Sequence, residues 1–462
     1  MLNNMIKIKI NYFLIALLLA SLSSQAQEKK WTLQECVEYA IKNNISVKQS
    51  ELDLQSAKID KKSALGNFLP SLNAGANHSW NIGLNQNITT GLLENQTTQF
   101  SSVSLNSSVD IYNGLQNQNR LRRAKLAELA SQYNLNKMQE DISLSVANAY
   151  LNILFNKEFL KVQQAQLVND EKQLTRSEEL VKAGSVPRGD LLDVKATVAS
   201  DKQKILAAEN NLLISKLSLA QLLQLEDFKN FDIVEEKMNA EQSATLLEKP
   251  QTIYEKALEQ RMEIKVAKTN LEVAEKDIKI ARGTMQPSLS GFYSFSTRAS
   301  YSDRIIGVDG GGNPIVAGPL PLFDQFSDNK GHNFGLQLNV PILNGFSARN
   351  NVAKSKINYE RTKNAYSQAE LDLERNVYTA FTDANAALKT YESAVSALEA
   401  REEAFNYAKE KFAVGMMNAF DYNQAQLLYT TAQSDAIRAK YDFIFKEKVV
   451  ELYFGIPILK KP

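Results

Sequence analysis

The chain is written twice, and that duplication restricts what it can fold into more than any other feature. Leu54, Ala57, Asp60, Lys62, Ala64, Gly66, Pro70, Ser71 and Leu72 recur as Leu271, Ala274, Asp277, Lys279, Ala281, Gly283, Pro287, Ser288 and Leu289, every pair 217 positions apart. Further on, Asn113-Gly114, Gly184 and Asp190 recur as Asn344-Gly345, Gly415 and Asp421, now 231 apart. The offset changes once, by 14, so the second copy carries an insertion between the counterparts of Leu72 and Asn113. Repetition at a fixed offset means one structural unit used again. The copies span about 27–225 and 251–455, joined by a polar segment, 226–250, and followed by a tail, 456–462. Each opens on a capping-box pattern, Thr32-x-x-Glu35 and Thr252-x-x-Glu255, ahead of an amphipathic run.

Each copy reads as helix, strand pair, very long helix, turn and return helix. The first helices are expected from about Thr32 to Asn67 and from Thr252 to Thr284, ended by Pro70 and Pro287, since proline removes a backbone donor and clashes with the preceding turn. Period-two alternation follows, over about 70–83 and 100–112 in copy one and 287–301 and 331–343 in copy two. Leu72, Ala74, Ala76, Trp80 and Ile82 share one face. So do Val103, Leu105, Val109 and Ile111, and so do Phe334, Leu336, Leu338, Val340 and Ile342; Asn and Ser dominate the opposite faces. Ten or so alternating residues suit a tilted strand crossing a bilayer, or a strand of a soluble sandwich. Polar loops are expected at Leu84 to Gln99 and Ser302 to Lys330; the Gly310-Gly311-Gly312 run there lacks the Lys-Ser/Thr that would make it a phosphate cradle. After Gly114 and Gly345 a helical pattern runs for roughly 70 residues, on the order of 100 Å. Val146, Ile153, Leu160, Leu167, Leu174 and Val181 recur every seven positions, as do Val377, Ala384, Tyr391, Leu398, Phe405 and Phe412, a period that implies left-handed supercoiling against neighbours. Gly184 and Gly415 end these helices, and Asp190 and Asp421 sit where the return helices begin.

Composition narrows the function. Lys7 and Lys9, the apolar run Tyr12 to Leu22 and Ser24-Gln25-Ala26 form a secretory signal peptide, residues 1–26; a retained anchor helix is the alternative. No other segment approaches 18 consecutive apolar residues, so if the chain spans a membrane it does so with strands. The 53 Lys+Arg against 52 Asp+Glu give no electrostatic footprint for nucleic acid. One cysteine, Cys36, read as a small core residue, excludes an intrachain disulfide. Two histidines, His78 and His332, and the absence of a Ser/His/Asp set or HExxH leave no catalytic, cofactor or metal site to name. Four strands cannot close a barrel, for which at least eight are needed, so lipid-spanning strands require two or three chains.

These residues together resemble the TolC-type outer-membrane efflux proteins (outer-membrane factors) over essentially the whole mature chain. The resemblance rests on Thr32-Leu33-Gln34-Glu35-Cys36-Val37-Glu38-Tyr39-Ala40, the two Pro-Ser-Leu helix-to-strand junctions, Val340-Pro341-Ile342-Leu343-Asn344-Gly345, and the paired tips Gly184 with Asp190 and Gly415 with Asp421. It implies an α+β membrane protein, a homotrimer with a 12-stranded barrel on a long α-helical coiled-coil tunnel and an equatorial belt around 226–250. It implies a passive exit duct for efflux or type I secretion, in the outer membrane and its lipid, served by a periplasmic adaptor and an inner-membrane pump. It also implies an acidic periplasmic gate. Asp421 matches the first gate position, but the second is Gln424; in copy one both are acidic, Asp190 and Asp193. The family's basic partner would fall at Met417, leaving Arg188 as the substitute. Three Asp421 carboxylates about 6 Å apart would repel by about 3 kcal/mol per pair at an effective dielectric of about 20. The adaptor is expected to dock around Gly184, Arg188 and Gly415. The rival readings are a periplasmic coiled-coil adaptor, which leaves the two strand pairs unexplained, and a periplasmic enzyme.

Overall fold

The computed structural model describes residues 30–86, 91–226, 228, 230–236 and 238–457. The expected signal peptide and residues 458–462 of the tail lie outside the described residues. The chain divides into two compact units, one of Met1–Glu51, Asn134–Met262 and Glu370–Pro462 and one of Leu52–Tyr133 and Glu263–Ala369, each drawn from both copies.

Element boundaries recur at the two sequence offsets. Helices α1 (Leu33–Asn43) and α2 (Ile45–Gly66) have their twins 217 positions on, in α5 (Pro250–Gln260) and α6 (Met262–Gly283). Helices α3 (Gln116–Lys182) and α4 (Arg188–Leu223) have theirs 231 positions on, in α8 (Ser347–Ala413) and α9 (Ala419–Phe454). The first helix of each copy is therefore two helices, broken at Asn44 and at Arg261, the same place in the repeat. Asn44 turns the chain by accepting from the Ser46 amide at 2.9 Å and donating to the Leu222 carbonyl at 2.9 Å. Arg261 is extended at φ −66°, ψ 134° and reaches Glu140 at 3.0 Å. The capping box at Thr32 forms, with Thr32 Oγ1 accepting from the Glu35 amide and Glu35 accepting from the Thr32 amide. The one expected at Thr252 does not: α5 starts on Lys249 and Pro250 with no side-chain cap, and Thr252 lies inside the first turn. Proline at the first helical position replaces the cap.

In the second unit, four strands form one antiparallel sheet in the order β2-β3-β5-β8, with β2 Ser71–Gln86, β3 Leu93–Asn113, β5 Ser288–Ser300 and β8 Gly331–Asn339. The loop expected at Leu84 to Gln99 is mostly strand, since Asn85 pairs with Glu94 and Ile82 with Thr97. Asn85, Asn95, Thr97 and Thr98 are paired backbone, not turn. Strand β8 stops at Asn339, short of the expected 343, because Pro341 cannot donate to a ladder. Ile111 is a bulge between the paired residues Asp110 and Tyr112. The 14-residue insertion accommodates a second hairpin, β6 (Arg304–Val308) with β7 (Pro314–Ala317), and the short helix α7 (Leu322–Asp328). The triple glycine forms its turn, closed by Asp309 accepting from the Gly311 and Asn313 amides. The salt bridge Lys61–Glu128 ties α2 to α3 within copy one, and Arg123–Asp277 ties α3 to α6 of copy two, both at 2.6 Å.

In the first unit, Cys36, Val37, Val146, Tyr150, Ile153, Leu219, Leu223, Ile233 and Ile444 form the main apolar core. The inter-copy segment is bound into it. β1 (Lys30–Trp31) pairs parallel with β4 (Asp232–Ile233), and Asp232 takes ion pairs from Lys157 at 2.7 Å and Lys216 at 2.9 Å. Burial alone would raise the Asp232 carboxyl, but these two ammonium groups hold it below the usual carboxylate range. At the twin of Lys216, Glu447 accepts from the Ser243 amide at 2.6 Å. The return helices thus grip one segment through residues of opposite charge.

Candidate functional site

The sheet separates two chemistries by face. Ala74 lies opposite Leu105, and Leu105 opposite Phe295; Tyr293 faces Phe334, and Leu289 faces Leu338. That face is mostly apolar, interrupted by Ser107 between Leu72 and Tyr293 and by Ser101 beside His78. The other carries Ser71, Asn73, Ser104, Asn106, Ser108, Ser290, Ser294, Asn333 and Gln337, cross-linked where Ser294 Oγ donates to Asn106 at 2.7 Å. Strands β2 and β8 each have one neighbour, so among the described residues the sheet is open at both edges. His78 sits on the apolar face, edge-on to Trp80 at 4.2 Å and bonded to Ser101 Oγ at 2.8 Å. His332 Nδ1 meets the Tyr293 hydroxyl at 2.9 Å.

The junctions are built by backbone conformation. At Gly114-Leu115 and Gly345-Phe346 two successive residues are left-handed, φ +66° and +60°, +58° and +65°, which reverses the chain from strand to long helix. A Cβ at Gly114 would collide with the Gly283 carbonyl, whereas Gly345 has open space. Pro70 and Pro287 follow the ends of α2 and α6 by four residues each.

At the other end of the long helices, Gly184 (φ +71°) and Gly415 (φ +78°) close Schellman turns, with Ser185 N donating to Leu180 O and Met416 N to Lys411 O at 2.9 Å. Asp190 and Asp421 occupy the third position of their helices, and Asp193 and Gln424 follow one turn later on the same faces. Asp193, Asp421, Gln424 and Arg188 are exposed, and Asp190 half-buried. Asp421 is engaged in capping: its amide donates to Asn418 Oδ1 at 2.8 Å and its carboxylate accepts from Asn418 Nδ2 at 2.9 Å. At the twin of Asn418, Pro187 gives no side-chain cap. Arg188 makes no ion pair with Asp190 within the described chain.

Sequence reasoning missed the polar group between these tips and the core. Asp170 on α3, Asp201 on α4 and Gln426 on α9 are each 2% exposed. Gln426 Nε2 donates to Asp170 Oδ1 at 2.5 Å and Gln166 Nε2 to Asp170 Oδ2 at 2.8 Å. Burial, then the neighbouring Asp201 carboxyl, push Asp170 up to about 7. The signal was present in the sequence: Asn156, Gln163, Asp170 and Ser177 form a heptad of buried polar residues, where copy two has Ala387, Ala394, Arg401 and Ala408. In copy two the hairpin is closed by rings instead, Phe412 on Tyr422 at 4.6 Å and Phe405 on Tyr429 at 5.3 Å.

A family model described as outer membrane efflux protein matches residues 36–224 and 253–453. The chain is similar to the outer membrane protein TolC of Vibrio cholerae, 23% identical over 345 residues covering 70% of this chain and 72% of that protein. It is also similar to the cation efflux system protein CusC of Escherichia coli K12, 25% identical over 340 residues covering 71% and 67%. Among solved structures, the outer membrane protein VceC of Vibrio cholerae aligns with TM-score 0.74 at 17% identity over 92% of this chain and 96% of that one. A membrane protein of Pseudomonas aeruginosa aligns with TM-score 0.75 at 19% identity over 92% and 93%.

Proposed function

The chain belongs to the outer membrane efflux protein family, and from that premise we propose that it is the outer-membrane exit duct of a tripartite efflux or secretion assembly. It is an outer-membrane efflux channel whose family consists of passive conduits rather than enzymes. The observation that carries the reading is the open four-stranded sheet with one apolar and one Ser/Asn face. In lipid every unpaired backbone group costs several kcal/mol, so β2 of one chain must pair with β8 of the next until the sheet closes. The apolar face then meets lipid and the Ser/Asn face lines the pore.

Three chains close twelve strands, the homotrimer the family resemblance implies. The helical tips then meet around the axis, with Asp421 and Gln424 of α9 and Asp190 and Asp193 of α4 as the periplasmic gate. Arg188 has no acidic partner among the described residues, which leaves it available to a neighbouring subunit. The turns at Gly184 and Gly415 offer docking ground for a periplasmic adaptor that couples the duct to an inner-membrane pump.

Planar-bilayer conductance of the mature chain tests this. The expected result is small, cation-favouring channels that widen with Asp421→Ala. Channels that do not change move the gate to Asp190 or Asp193; no channels from well-folded protein overturn the duct. Native mass spectrometry showing any closed assembly other than a trimer overturns the twelve-stranded barrel.

A further inference from the structure

The buried polar group at Asp170 serves no purpose in a passive duct unless it does something its counterpart in copy two cannot. A carboxylate pair in a low-dielectric site costs stability unless a proton is shared between them. We propose that Asp170, Asp201 and Gln426 form a proton-held latch, in which one proton shared between the two carboxyls clamps α3, α4 and α9 together and its loss frees the first turns of α9. Those turns carry Asp421, so the functional meaning of the latch rests on the exit-duct reading.

Four observations converge on it. Three helices meet at the group, and all three side chains are almost fully buried. Asp201 Oδ2 and Gln426 Oε1 are buried without a hydrogen-bond partner, so a donor is missing from a site that a protonated Asp170 would complete. A cavity of about 260 Å³, lined among others by Gln166, Asp201 and Gln426, adjoins them and gives the proton a route. The twin positions are Arg401, Ala432 and Lys195, so the second copy cannot form the pair.

The surrounding charges assign the proton. On α4, Lys204 Nζ lies 2.9 Å from Asp201 Oδ1 and gives that oxygen a cationic partner, leaving Oδ2 unpartnered. On α3, Arg176 is occupied with the Ala413 carbonyl and the Phe412 ring of α8. On α9, Tyr422 feels the Asp170 charge, and Asp435 and Arg438 stand further along the cavity. Burial favours the proton on Asp170, from which it is donated to the buried, unpartnered Asp201 Oδ2. The sign follows from the raised value: the closed packing binds this proton more tightly than the opened one. Its stability is full below the ordinary carboxylate value near 3.8, is lost as pH rises to about 7, and changes little above that.

Hydrogen exchange of the full-length assembly, corrected for intrinsic rate, reads the latch directly. Peptides across 163–174 and 420–430 should open more at pH 7 than at pH 5, up to about fiftyfold if Asp170 titrates normally once opened. Asp170→Asn, whose amide donates to Asp201 at every pH, should remove the dependence, and the twin stretch 394–405 should stay flat in both proteins. Asp201→Asn makes the same test should the first variant not fold. Wild-type protection equal at pH 5 and 7, or a dependence retained in both variants, overturns the latch. Bilayer conductance separates the two proposals: conducting channels with flat exchange overturn the latch alone, and pH-dependent exchange without channels supports the latch while overturning the duct.

Discussion

The two helical hairpins begin and end at equivalent residues, yet their tips are held differently. In the hairpin of α3 and α4 the seam is aliphatic and polar: Leu174, Val181, Leu191 and Val198 with the Asp170 group beside them. In the hairpin of α8 and α9 the same four positions are Phe405, Phe412, Tyr422 and Tyr429, and the rings stack. Only the second return helix has a side-chain cap, Asn418. Duplication fixed the geometry, and divergence then divided labour. Rings close a tip by dispersion and area, which do not respond to pH. Carboxyls close it conditionally.

The sharpest way to break this contrast is to remove a ring. Tyr422→Ala should cost about 4 kcal/mol of local stability, read as lost exchange protection over 405–430, while Leu191→Ala, half-buried at the twin position, costs less than half of that. Next in size is Asp232→Asn, which takes from Lys157, itself 8% exposed, the nearer of its two carboxylates, at 2.7 Å against 3.7 Å for Glu235. A loss of about 3 kcal/mol is expected in thermal unfolding. The Asp232 contribution is present above the ordinary carboxylate range and disappears as pH falls through its lowered native value. Leu388 occupies the Lys157 position in copy two, so Leu388→Ala should show no such pH dependence. Gly114→Ala should cost about 2–3 kcal/mol from left-handed strain plus collision, against about 1 kcal/mol for Gly345→Ala, where only the strain applies; yield of folded protein after refolding ranks the two. The smallest effect belongs to the caps. Asn418→Ala should cost about 1 kcal/mol at the second tip, visible as fraying of 419–424, and Pro187→Ala almost none.

Much of the fold was legible because its cues are local. Proline, glycine and the alternation of Ser/Asn with apolar residues mark Pro70, Gly114, Gly184 and the strands, and the heptads mark the long helices. What escaped was set by contacts distant in sequence. Asn44 breaks a helix because Leu222 offers a carbonyl, and Arg261 because Glu140 offers a carboxylate. Thr252 looked like a cap because its spacing to Glu255 was right, but Lys249-Pro250 had already started the helix. Reading Leu84 to Gln99 as loop weighed polarity over pairing. The Asp170 group joins residues up to 256 positions apart, and a search for apolar heptads passes over a polar one in the same helix.

The open edges of the sheet have a consequence for how the protein comes into being. A single chain fresh from export carries two unpaired strand edges and a greasy face with no lipid yet around it, the template on which other chains nucleate disordered aggregates. Edge charges and prolines that blunt such templates are scarce along β2, so the lone chain has no defence of its own. Assembly of such a chain is therefore a race between correct partners and wrong ones, decided by how soon each open edge is paired.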